Sequence, residues 1–362
     1  MKGVRRSRGQ APSVLEGMPL SETPEILVRA TNWIGDMVMS LPAMEALRER
    51  FPGARITVLA RPWVRALLEA HPAVDRIMEF SKGEGRVQGL FQVLDAARRA
   101  GRGGFDMAVL FQNAFEAALI ARLARIPVRV GYDTDVRGLL LTHPVSRKRA
   151  PHGVHQVNYY LEILRAMGWD GEVREPHIYV SEKDRTEARE LLSRQGIDHE
   201  EKILGVAPGA AYGPAKRWPA ERFARVADLA AKEWNARVLI LGSAGDAEAC
   251  RAVASGMAGE PLDLCGATSL GEAVALISAC SLFLTNDSGL MHVSAALGVP
   301  TVAVFGSTDP VATGPRGPRA CVVRNPVDCA PCLKTVCPKD FQCMLGITAD
   351  AVWEEAKKLL SC

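Results

Sequence analysis

The 362-residue chain has no apolar run approaching the roughly 20 residues that a bilayer-spanning helix needs, which argues against a helical integral membrane protein. Its opening stretch MKGVRRSRGQAPSVLEGMPLSETPE carries bases but no apolar core of the kind a secretory signal requires. A flexible leader over residues 1–24 and a cytoplasmic chain are therefore expected, with Lys2, Arg5, Arg6 and Arg8 either solvated or touching anionic lipid. No G-x-G-x-x-G follows the first predicted strand, which disfavours a nicotinamide enzyme. No cluster of carboxylates resembles a magnesium site. Charge of one sign is also scarce. The net charge of +3 is far from a nucleic-acid footprint, so no nucleic-acid partner is expected. That charge is uneven, +6 through residue 180 and −3 beyond it, and a basic first half suits an anionic partner or a membrane surface.

What is present is an ordinary soluble composition, 48% hydrophobic and 23% charged, in a chain too long for one hydrophobic core. Two domains are the prior. EILVRA reads as a buried strand, residues 37–50 as a helix and RITVLA as the next strand. DMAVLFQ, NAFEAALIARLARI and VRVGY repeat the alternation, which predicts a mostly parallel sheet covered by helices. After a helical stretch at residues 159–167 and a polar segment at 181–201, the pattern restarts. KILGVAPGA, ARVLILGSAGD, SLFLTND and TVAVFGSTDP are strands running into turns, separated by the helical ERFARVADLAAKEW, LGEAVALISAC and SGLMHVSAALG. The expected fold is α/β, two doubly wound Rossmann-like domains, 25–185 and 186–362, facing each other across a cleft where ligands bind.

Three stretches bear chemistry. In GVAPGAAYGPAKRWP, Gly209 and Gly213 leave backbone N–H groups approachable, while Lys216 and Arg217 add positive charge just before a helix. In TNDSGLMHVSAALG a strand ends at Asn286, and Asp287 or Ser288 is placed to cap the helix that follows. The N–H groups near Gly289 are open to a diphosphate, with His292 one turn in. In RATNWIGDMVMSLPA one acid, Asp36, stands in the turn before a helix. Taken singly, each feature also fits a solvated loop, a helix cap or a first-turn acid favoured by the helix dipole.

TNWIGDMVMSLPA, PGAAYGPAKRWP and TNDSGLMHVSAALGVPTVAVFGSTDP, in that order and spread over nearly the whole chain, resemble glycosyltransferase family 9, the ADP-heptose:lipopolysaccharide heptosyltransferases. GPAKRWP with the cysteine-rich tail is more similar to the family's heptosyltransferase II members than to its heptosyltransferase I members. Ser294, in place of a common alanine, and a longer leader depart from the pattern.

The resemblance implies a GT-B fold with an acceptor-binding first domain and a nucleotide-sugar-binding second domain, and inverting transfer of L-glycero-D-manno-heptose from ADP-heptose. The implied acceptor is the first heptose of an anionic Kdo2-lipid A core, met at the cytoplasmic face of the inner membrane with peripheral contact. It implies that Asp36 is the catalytic base and that Lys216 neutralises the departing ADP, with no cofactor required. Implied donor contacts are Gly209, Ala210, Gly213, Ser243, Asp287, Ser288, Gly289, Met291 and His292. Thr31, Asn32, Trp33 and Gly35 are implied on the acceptor side, and one or two of Arg61, Arg137, Arg147, Lys148 and Arg149 are expected to touch the acceptor.

Transfer of the first heptose, transfer of another sugar, or a catalytically silent ADP-sugar binder remain alternatives. The tail CAPCLKTVCPKDFQC (Cys329, Cys332, Cys337, Cys343) has one metal-like pair followed by irregular spacing. It fits structural thiols or a labile disulfide, with zinc, an iron–sulfur centre or a metal-thiolate redox protein as the competing reading.

Overall fold

A computed structural model describes residues 13–16, 21–81, 83, 85–149 and 153–361. Lys2, Arg5, Arg6 and Arg8 lie outside that range. Among the described residues the chain forms two six-stranded parallel sheets. The first comprises β1 (Glu25–Arg29), β2 (Arg55–Ala60), β3 (Arg76–Glu79), β4 (Met107–Leu110), β5 (Val128–Tyr132) and β6 (His143–Val145), in the order β3-β2-β1-β4-β5-β6. The second comprises β7 (Ile203–Ala207), β8 (Arg237–Ile240), β9 (Leu262–Asp263), β10 (Leu282–Asn286), β11 (Thr301–Phe305) and β12 (Ala320–Arg324). Its order, β12-β11-β10-β7-β8-β9, is the same winding as the first. In each sheet the switch point falls beside the first strand, between β1 and β4 and between β7 and β10.

The central strands are apolar on both faces because helices cover both. Ile26 pairs in register with Ile56 and Met107, and all three are fully buried. The covering helices are α1 (Ile34–Arg50), α2 (Arg86–Gly101), α3 (Phe115–Leu123) and α4 (Gln156–Ala166) on the first sheet. On the second they are α5 (Glu182–Arg194), α6 (Ala220–Trp234), α7 (Ala247–Gly256), α8 (Leu270–Ser278) and α9 (Gly289–Ala296), then α10 (Pro310–Thr313), α11 (Gln342–Leu345) and α12 (Ala349–Ser361). Helix α6 shows how the pattern works: Phe223, Val226, Ala227 and Ala230 recur at helical spacing and are buried, and Asn235 closes the helix in the left-handed region at φ 53°.

The polar segment at 181–201 contains helix α5, whose polarity reflects an exposed outer face; Ser181 caps it by accepting from the Asp184 N–H. A boundary at 185/186 falls inside this helix, which buries Ala188 and Leu192. Within the expected leader, residues 13–16 are packed: Leu15 is buried and the Val14 N–H donates to the Ala166 carbonyl at 2.8 Å.

The two halves meet where α1 packs on α9. Glycines permit that approach. A Cβ on Gly35 would lie 2.9 Å from Cδ2 of His292, and one on Gly289 would lie 2.9 Å from Cβ of Ile34. The amino ends of the two helices therefore abut across the cleft.

Candidate active site

Asp36 sits inside the first turn of α1, not in the turn before it, because α1 starts at Ile34. The Tyr160 hydroxyl, delivered by α4, donates to Asp36 Oδ1 at 2.9 Å. Burial pushes the Asp36 carboxyl above the usual carboxylate range, while the Tyr160 hydrogen bond and the Lys216 charge pull it back. Tyr160, itself buried beside Asp36, is held well above the ordinary phenol value and stays a donor. A partly buried carboxylate with a fixed orientation and raised basicity is what a general base requires.

Lys216 faces the same cleft from the loop after β7. Its Nζ pairs with Asp287 Oδ2 at 2.6 Å, and that oxygen also accepts from the Thr308 hydroxyl at 2.5 Å. The ammonium lies over the Tyr212 ring at 4.7 Å. Asp287 thus serves as a holder for Lys216 and does not cap α9. Ser288 does not cap it either, since its hydroxyl pairs with Thr285 Oγ1 at 3.1 Å. The first-turn N–H groups of α9 have no side-chain cap, and neither have those of α1, so two positive helix ends point into one cleft.

An open cleft of about 760 Å³ adjoins these ends, lined by Gly209, Ala210, Ser243, Ser288 and Gly289 among the expected donor residues, with Asp246, Thr268 and Leu270 added. Asp246 approaches Gly209 so closely that a Cβ there would lie 2.2 Å from its carboxylate; its Oδ2 accepts from the Ser243 N–H at 3.0 Å and hydroxyl at 2.6 Å. The remaining expected donor residues, Gly213, Asp287, Met291 and His292, lie outside that lining. Met291 is fully buried against Ala303 and Phe305, because it occupies the inner face of α9. His292 is buried beneath Gly35, and desolvation lowers its pKa to about 4, which favours the neutral imidazole. That contact requires a residue without a side chain at position 35. Gly213, at φ 147°, accommodates the Thr335 carbonyl, which a Cβ would meet at 2.5 Å.

On the acceptor side Thr31 is buried, Asn32 accepts from Arg29 Nη2 at 3.1 Å and Trp33 is exposed. Trp63 Nε1 donates to the Asn32 carbonyl at 2.7 Å. Arg137 is fully buried and hydrogen-bonded to the carbonyls of Tyr132 and Gln112 and to Asn113, which makes it a structural brace. Arg61 is buried under Trp63 and Phe80 with Glu116 at 3.6 Å. Arg147 and Lys148 are exposed, and the side chain of Arg149 is outside the described set.

The cysteine-rich loop buttresses the Lys216 loop. Tyr212 donates to the Leu333 carbonyl at 2.6 Å and the Ala215 N–H to the Thr335 carbonyl at 3.0 Å. Cys329, Cys332, Cys337 and Cys343 are free thiols around one cavity. Among the described residues no group of three or more His, Cys, Asp or Glu is placed to hold a metal ion.

The model of glycosyltransferase family 9 (heptosyltransferase) matches residues 93–342. The chain belongs to glycosyltransferase family 9. Lipopolysaccharide heptosyltransferase 2 of Escherichia coli is 35% identical over 93% of this chain and 98% of its own length; that of Salmonella typhimurium is 34% identical over 93% and 99%. The solved ADP-heptose lps heptosyltransferase II of E. coli superposes with a TM-score of 0.79 at 30% identity, over 93% of this chain and 98% of that one. The expected two-domain GT-B architecture and a glycosyltransferase activity are thereby established.

Proposed function

We propose that this glycosyltransferase moves heptose from ADP-heptose, with inversion, to the first heptose of the lipid-linked inner core of lipopolysaccharide. The relatives named heptosyltransferase 2 support the acceptor and donor, and the placement of Asp36 opposite Lys216 supports the chemistry. The first domain takes the acceptor and the second the nucleotide sugar, at the cytoplasmic face of the inner membrane.

The donor diphosphate lies at the uncapped amino end of α9, with Ser288 and Gly289 N–H groups and Lys216 against it. Ser243 and Asp246 offer hydroxyl and carboxylate oxygens to the ribose. An acceptor hydroxyl reaches Asp36 Oδ2, the oxygen not taken by Tyr160, and surrenders its proton as its oxygen attacks the anomeric carbon. The C–O bond to ADP breaks on the opposite face, and the charge that accumulates on the diphosphate meets Lys216 and the helix end. These fixed positive groups do the work a divalent ion performs elsewhere, and no cofactor is required.

The test is mass spectrometry of products from ADP-heptose with Kdo2-lipid A or its singly heptosylated form, using Asp36→Ala as control. One heptose added only to the heptosylated acceptor, and lost in the variant, is expected. Addition to bare Kdo2-lipid A would make this the first transferase.

A further inference from the structure

We propose that His155 is a positioning residue that latches the two halves of the enzyme together. Its Nε2–H reaches across to the Gly314 carbonyl and so holds the Tyr160–Asp36 pair in register with Lys216. The part played by Asp36 and Lys216 rests on the heptosyltransferase reading; the latch itself does not.

His155 stands at the amino end of α4 and caps it, Nδ1 accepting from the Val157 N–H at 3.2 Å. A cap alone is made better by Ser, Asp or Asn, the residues that helix amino ends favour. Their short side chains stop at the helix, whereas an imidazole carries a second nitrogen on its far side. Because Nδ1 is taken as an acceptor, the ring proton sits on Nε2, which donates to the Gly314 carbonyl at 2.8 Å, 159 residues away in the chain. The ring is buried. Burial holds it below the ordinary imidazole value, against the Gly314 bond and Glu175, with Arg316 adding to the effect of burial. It therefore works neutral, with one nitrogen accepting and the other donating.

Each end of that bond adjoins a group that supports the chemistry. Further along α4 stands Tyr160, whose hydroxyl orients Asp36. Before Gly314, in the loop after β11, stands Thr308, whose hydroxyl donates to the Asp287 oxygen that pairs with Lys216. The backbone between Thr308 and Gly314 is fixed. Asp309 caps α10 by accepting from the Val311 N–H at 2.9 Å, and the Gly314 N–H returns to the Pro310 carbonyl at 2.8 Å. Position 314 admits no side chain, since a Cβ would meet that carbonyl oxygen at 2.5 Å. The latch thus joins two stiff segments, one carrying the support of the base and the other the support of the cation.

Arg316 makes a second tie close by, a bidentate pair with Glu175 at 2.6 and 2.5 Å, in the segment that leaves α4. Both of those side chains are partly exposed, so water screens the pair. The buried His155 bond is the directional element of the contact.

The experiment separates the two ring nitrogens. His155→Asn puts an oxygen where Nδ1 was and keeps the cap but does not reach Gly314. His155→Gln puts an amide N–H where Nε2 was and keeps the latch. In H155N, hydrogen exchange across residues 310–316 is expected to quicken about three- to tenfold, the worth of one hydrogen bond, with the melting temperature close to that of wild type. H155Q exchanges like wild type. Heptose transfer follows the same order: in H155N kcat falls about three- to tenfold while ADP affinity stays within about twofold. The acid limb of its pH–rate profile moves to higher pH, the direction expected of Tyr160→Phe, and in the Tyr160→Phe background H155N moves the limb no further. Exchange or limb unchanged in H155N overturns the proposal. So do equal losses in H155N and H155Q, because His155 is then a packing group. Absence of transfer by wild type to any lipid-linked acceptor would defeat the functional reading, while hydrogen exchange still decides the latch.

Discussion

The Tyr160 hydroxyl donates to Asp36 Oδ1 at 2.9 Å from a position 124 residues away in the chain. The bond favours the ionised carboxylate, against burial, which favours the neutral acid. A base must be deprotonated to act, so the acid limb of kcat/KM reports the Asp36 pKa. In Tyr160→Phe the restraint is gone and Asp36 rises further. The limb is expected to move to higher pH, with the alkaline plateau lowered less than in any Asp36 variant. A pH–rate profile that keeps its limb in place would show that Tyr160 does not act on the base.

Asp36→Asn keeps the shape and the Tyr160 contact but cannot take a proton. Its kcat is expected to fall about 10²- to 10⁴-fold while ADP affinity, measured calorimetrically, stays within about twofold. Loss of ADP binding in step with turnover would mark Asp36 as structural.

Lys216→Met removes the charge at the proposed diphosphate site and leaves Asp287 buried without its cation. A loss of about 10²- to 10³-fold in kcat is expected, together with weaker ADP binding. Thr308→Val, which removes the second partner of Asp287 Oδ2, tests the holder separately and should cost far less. Equal losses in the two variants would mean that the assembly acts only as a fold element.

Stability should decline on mild acidification. His292 and His71 are both buried and each is lowered to about 4 from the usual 6.5. The unfolded chain takes up those protons near 6.5 and the folded chain only near 4. The stabilisation is therefore complete above 6.5 and lost as pH falls between the two values, by about 3 kcal/mol for each group. Urea titrations across that range, with His71→Asn as comparison, read it directly; a variant as acid-sensitive as wild type would refute the assignment.

Much of the fold was legible because the central strands are uninterrupted apolar runs: EILVR, MAVL, ILGVA and LFLTN all lie where their patterning put them. The strands without such a signal are those at or near sheet edges, β3, β6, β9 and β12, two to five residues long and only partly buried. Asp36 and Lys216 were singled out in the chain, and the structure brings both to the cleft. Tyr160, Asp246 and Thr308 were not, since a partner's value depends on a fold-level neighbour. Gly35 and His292 were read toward a ligand, yet they face each other. Local sequence shows that a glycine admits something close but does not say what.

The contact between Gly35 and His292 has a mechanical consequence. The helix that carries Asp36 and helix α9 touch at their tips, so any hinge motion that parts the halves there would separate Asp36 from the helix end proposed to receive the diphosphate. On the proposed reading that contact would act as an interlock. A nucleotide sugar held by the second half alone would then meet water without a base beside it, and would be spared hydrolysis until the first half returned.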